Sequence, residues 1–170
     1  MNIYSVTSYL VESMGKIRGK KAFQKLIYFS KAMGVPLTES YKMYYYGPYS
    51  EQVADELEAC VGLGILDKDD ESFNFISGEK SKETLEQYSD SINEYKDRLN
   101  KVVEYFGGCD PMTLEILATT HFIYNNMKHL YDITDKENII KEVEQVKYPK
   151  FSKDEILSAY KKLESIELLT

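Results

Sequence analysis

Apolar residues recur at intervals of three and four through most of this chain, a period that commits it to helices packed by one face. Ile3, Val6, Tyr9, Leu10 and Met14 form such a stripe over residues 2–14. Ala22, Phe23, Leu26, Ile27, Phe29 and Met33 form a broader one, which Gly34 and Pro36 end. Val53, Leu57, Cys60 and Val61 keep the spacing in SEQVADELEACVGLGIL, with Gly64 as its C-cap. Residues 79–106 read as one long polar helix with Leu85, Ile92, Leu99 and Phe106 on its packed side. Gly107-Gly108 break it. Asp110 then supplies an N-cap and Pro111 a first helical residue. The following segment, MTLEILATTHFIYNNM, is the most apolar and is expected to form the core of the second half. Helices near 134–146 and 153–168 close the chain, the last opened by a capping box of Ser152 and Glu155.

Strands are few. KMYYY, residues 42–46, is aromatic and stops at Gly-Pro, and GILDKDDESFNFI reads as two short strands around an acidic turn at Asp67 to Glu71. The order helix, helix, strand, helix, hairpin is that of a winged-helix module. The expected fold is therefore mainly α. A winged-helix-like part with a short β-hairpin covers residues 1–77, and a helical part over 78–170 packs on it as one compact unit.

The densest local signal is YYYGPYS, Tyr44 to Ser50. Gly47 relaxes the backbone, Pro48 fixes φ at a turn or first helical position, and Ser50 suits a helix N-cap. On a strand Tyr44 and Tyr46 share one side and Tyr45 takes the other, so one side is expected in the core. The other is left for a partner. Tyr148-Pro-Lys-Phe-Ser, followed by a helical run, is a weak echo of the same corner, with chance as the plainer reading of so low an identity.

Charge divides the chain. Residues 1–50 hold seven basic side chains against Glu12 and Glu39, a balance of +5, whereas the rest hold 14 basic and 26 acidic ones. The whole carries −7, which works against non-specific nucleic-acid binding. The helix over 50–63 offers Glu51, Asp55, Glu56 and Glu58 with no Lys or Arg, so it suits a basic protein surface better than a phosphate backbone. Arg18, Lys20, Lys21 and Lys25 gather at the start of the second helix, and a partner or anion surface and a plain solvated face stand there as equal readings.

Enzymatic chemistry finds little footing. No phosphate loop, dinucleotide glycine pattern or zinc-ligand set occurs, so no cofactor is expected. His121 and His129 lack a third ligand at metal spacing, and packing or surface roles are favoured for them. Cys109, before a helix N-terminus, has no histidine partner to activate it. Two cysteines give no disulfide framework, no run of about 18 apolar residues occurs, and no secretory pattern opens the chain. A cytoplasmic protein without membrane contact is expected.

FQKLIYFSKAMGVPL, followed by YKMYYYGPYSEQVADELEACVGLGIL, resembles the YwgA-like proteins, whose hallmark is a K-x-x-K-L-x-Y helix and a Y-x-Y-G-P-Y-S corner. Lys21, Gln24, Lys25, Leu26, Tyr28, Tyr44, Tyr46, Gly47, Pro48, Tyr49 and Ser50 carry the resemblance, and LEILATTHFIYNNM and KYPKFSKDEILSAYKKLESIELL extend it. More remotely the chain is similar to the Panacea, antitoxin-type domain. That resemblance implies a toxin-neutralising or regulatory adaptor and no established catalysis. The leading expectation is a non-enzymatic module that binds a protein, a toxin being one candidate. The alternative is a nucleic-acid-binding transcriptional or defence regulator that uses the basic helix and stacks bases on tyrosines. A small-ligand site at a tyrosine-lined cleft is the third reading, and self-association is open. The candidate binding residues are Arg18, Lys20, Lys21, Lys25, Tyr28, Tyr44, Tyr46, Tyr49 and Ser50.

Overall fold

The computed structural model describes residues 1–170 as a mainly α protein of eight helices and five short strands. Helix α1 (Ile3–Met14) is capped by Asn2, whose side chain accepts the Ser5 N–H at 3.0 Å. Strand β1 (Lys16–Ile17) follows, then α2 (Gly19–Ala32), the hairpin of β2 (Lys42–Tyr44) and β3 (Gly47–Tyr49), and α3 (Glu51–Gly62). β4 (Leu66–Lys68) and β5 (Phe75–Ser77) form the second hairpin. Helices α4 (Ser81–Gln87), α5 (Ser89–Phe106), α6 (Pro111–Tyr131), α7 (Lys136–Lys147) and α8 (Lys153–Ser165) complete the chain.

The first sheet is antiparallel in the order β1-β5-β4, with Ile17 opposite Phe75 and Leu66 opposite Ser77. β1 lies in the break between Gly15 and Gly19, both at positive φ, and two residues are too short to show alternation in sequence. The expected single helix over 79–106 is in fact two. The backbone leaves helical geometry at Tyr88, where Ser89, Asp90 and Ser91 favour a fresh start over continuation. The break lets α4 and α5 both lie against α1.

Thirty-seven buried apolar residues form one continuous core that runs through both halves. Phe29 of α2 stacks on Phe106 of α5 with ring centroids 3.8 Å apart and planes 8° off parallel. α6 is the central element: it touches α2, β3, α7 and α8, and Leu114, Leu117, Ala118 and Ile123 are buried along it. Asp110 caps it by accepting the Thr113 N–H at 2.7 Å, and the Ser152–Glu155 box opens α8 as expected.

The tyrosine run departs from expectation. The strand stops at Tyr44, and Tyr45-Tyr46 is the two-residue loop of a hairpin that pairs Tyr44 with Gly47 and Met43 with Pro48. Pro48 is a strand residue, not a turn or helix-start residue, and a two-stranded ribbon tolerates its missing N–H. None of the three tyrosines is in the core; Tyr44, Tyr45 and Tyr46 are 48%, 91% and 58% exposed. The hairpin docks instead through β3, where Gly47 and Pro48 are buried against α2 and α6.

Candidate functional site

Residues 21, 25 and 28 lie on one face of α2, and this face assembles the corner. Gln24 clamps Ser50 from both sides: its oxygen accepts the Ser50 N–H at 3.0 Å and its amide donates to the Ser50 carbonyl at 2.8 Å. Ser50, so held, caps α3 by accepting the Val53 N–H at 3.2 Å. The ammonium of Lys25, the residue after Gln24, donates to the Pro48 carbonyl at 2.6 Å. Gly47 sits at φ +88°, and a Cβ there would come within 2.6 Å of Thr119 Oγ1, so both conformation and space exclude other residues.

Beneath the corner lies a buried carboxylate. Glu115 of α6 has no exposed side-chain surface, and three ammonium groups converge on it. Lys21 donates to Oε2 at 2.7 Å, Lys147 to Oε1 at 2.7 Å, and Lys150 to both oxygens at 2.9 and 2.8 Å. Lys147 also donates to the Tyr45 carbonyl at 2.8 Å, which ties the hairpin tip to the end of α7. The Tyr46 ring lies beside two of these cations, with Lys21 at 4.5 Å and Lys150 at 4.8 Å from its centroid. Burial alone would raise the Glu115 carboxyl, but the three lysine contacts outweigh it and hold it at about 2. Burial also pulls the Lys25 ammonium down to about 7 and lowers Lys147 against the pull of Glu115. The segments of the weak sequence echo thus meet in space around one carboxylate.

A cleft of about 380 Å³ opens beside this network. Lys20, Lys21, Gln24 and Lys25 line it from α2, Tyr46 and Tyr49 from the hairpin, and Ala54, Asp55, Leu57 and Glu58 from α3. Lys20 reaches Glu58 at 3.3 Å across exposed surface. The Tyr44 and Tyr49 rings lie 5.2 Å apart, so the hairpin presents its aromatics as a group.

Of the residues singled out from sequence, Lys20, Lys21, Lys25, Tyr46 and Tyr49 share this cleft, and Ser50 anchors its α3 side. Tyr44 stands on the outer side of the hairpin. Two residues fall elsewhere. Arg18 is exposed at the N-cap of α2 and makes no capping hydrogen bond through its side chain. Tyr28 is buried, its hydroxyl 2.7 Å from His121 Nδ1 and its ring edge-on to Tyr41 at 5.1 Å. Burial pushes that imidazole down to about 4 and the phenol well above its ordinary value. Glu115, Lys147 and Lys150 have no counterpart among the sequence candidates. The available signal was a single carboxylate inside the most apolar helix, flanked by Leu114 and Ile116.

No three His, Cys, Asp or Glu side chains gather closely enough to hold a metal ion. No helix is long and apolar enough to cross a membrane.

No family model matches the chain. It is similar to the uncharacterised protein YwgA of Bacillus subtilis (strain 168), at 44% identity over 52 residues. That likeness covers 31% of this chain and 31% of YwgA, so it spans less than a third of the relative's length. It supports the YwgA-like resemblance carried by the lysine helix and the Gly-Pro corner.

Proposed function

We propose that this protein is a regulatory, antitoxin-like interaction module that binds a basic protein surface through the β2–β3 hairpin and α3. One observation carries the reading. Three consecutive exposed tyrosines stand at a hairpin tip directly before a helix whose outer side holds Glu51, Asp55 and Glu58. Exposed aromatics on a braced hairpin supply contact area at low entropic cost, and they are over-represented among residues that dominate interfaces. The adjacent carboxylates supply charge complementarity and steer a cationic partner.

The element order and the β1-β5-β4 sheet support a winged-helix-like arrangement of residues 1–77, in which α3 is the recognition helix. Here that helix would meet a protein rather than DNA, because the exposed acids along it repel a phosphate backbone laid against them. The remote resemblance to the antitoxin-type domain agrees with such a role.

Affinity capture from native cells tests this with two baits, the wild-type chain and a Tyr44→Ser, Tyr45→Ser, Tyr46→Ser variant. The wild type is expected to retain a stoichiometric, basic polypeptide that the variant loses. A partner held equally by both baits, or none at native concentration, would sink the proposal.

A further inference from the structure

We infer that the cleft between α2, the hairpin and α3 is a binding site for a mononucleotide, a planar base carrying a phosphate. Lys25 is the starting point. Its side chain is 1% exposed, yet of the three N–H donors of an ammonium only one has a protein acceptor, the Pro48 carbonyl at 2.6 Å. Lys25 is among the residues lining a cleft of about 380 Å³, and an anionic oxygen bound there would supply the acceptors its remaining donors lack. Burial is the largest cause drawing this ammonium down to about 7, against the opposing pull of Glu115, and an arriving phosphate would add to that pull. Lys20 and Lys21 line the same wall. The lining holds three ammonium groups, Lys20, Lys21 and Lys25, against the two carboxylates of Asp55 and Glu58; Lys20 pairs with Glu58 and Lys21 with Glu115.

The rest of the lining selects what the phosphate is attached to. Tyr46 and Tyr49 offer ring faces for a base to stack on. Asp55 and Glu58, on the α3 wall, are acceptors placed to take hydrogen bonds from ribose hydroxyls. A bare phosphate would leave the aromatic rings uncovered, and an uncharged nucleoside would leave the Lys25 donors unfilled. The volume falls in the range of small-ligand clefts, about 300–1,000 Å³. The cleft shares Tyr46, Asp55 and Glu58 with the proposed partner surface, whereas Tyr44 and Tyr45 lie outside it.

Isothermal titration of the full chain with AMP, GMP, CMP and UMP tests it, with adenosine and inorganic phosphate as separate arms at matched ionic strength. At least one nucleotide is expected to bind with unit stoichiometry, and adenosine and phosphate at least about tenfold more weakly. Lys20→Glu and Tyr46→Ala alter exposed side chains, so both variants should keep the wild-type Tm while losing about fivefold or more in affinity. Four silent nucleotides, phosphate alone binding as tightly as a nucleotide, or affinity unchanged in both variants would each overturn the assignment.

Discussion

Helices α2 and α3 begin on either side of the same hairpin and treat their charges in opposite ways. α2 turns three of its four cations inward, leaving Lys20 exposed: Lys21 reaches buried Glu115, Lys25 reaches a backbone carbonyl, and Lys31 donates to the Glu39 carbonyl. α3 turns three of its four anions outward, where Glu51, Asp55 and Glu58 meet solvent, and keeps Glu56 half-buried beside Tyr4. A lysine has a long apolar stem and one compact charge, so it can thread into the interior and satisfy an acceptor there. The same formal charge density thus braces the corner on one helix and leaves a surface for recognition on the other.

The largest effect should come from breaking the inner set. Glu115→Gln leaves Lys21, Lys147 and Lys150 facing one another without their shared anion. Removing one partner of a buried ionic network costs about 3–5 kcal/mol. Urea denaturation should show that loss, and a midpoint unchanged from wild type would mean that the corner is held by packing alone.

The contact between α2 and α6 should also confer a pH dependence. His121, against Tyr28, titrates at about 4 when folded and at 6.5 in its ordinary state. Between those values the unfolded chain binds more protons than the folded one. The stabilisation is therefore complete above pH 6.5 and is lost as pH falls toward 4, up to about 3 kcal/mol over the whole window. His121→Gln should flatten the curve of stability against pH in that window. A slope equal to the wild type's would assign it to other groups.

The smallest effect on folding belongs to the outer set. Glu51→Gln, Asp55→Gln and Glu58→Gln together should shift stability by no more than about 0.5 kcal/mol, since exposed pairs such as Lys20–Glu58 contribute little. The same triple change should weaken partner binding and flatten its salt dependence. A large loss of stability with unaltered binding would reverse the contrast between the two helices.

What could be read from the sequence follows the range of the interactions involved. The caps at Ser50, Asp110 and Ser152 and the periodic stripes depend on neighbours within a few residues and are present as expected. The second hairpin is present too, but Asp67 and Lys68 pair in β4, so its turn lies beyond Lys68. The break at Tyr88 was hidden because the apolar spacing continues across it, while the choice to bend is made by packing on α1. The inward course of Lys21 and Lys25 was hidden too. Their acceptors, Glu115 and the Pro48 carbonyl, lie 94 and 23 residues away along the chain. Nor did the sequence distinguish a strand tyrosine from a loop tyrosine, because that depended on pairing with the next three residues, Gly47 to Tyr49.

Hydrogen exchange on the captured complex is the most direct test that recognition lies on the hairpin and α3. The account predicts slowed exchange in peptides covering residues 42–62 when the partner is bound, with little change across α7 and α8. Protection confined to α7 and α8, with residues 42–62 exchanging as in the free protein, would contradict it.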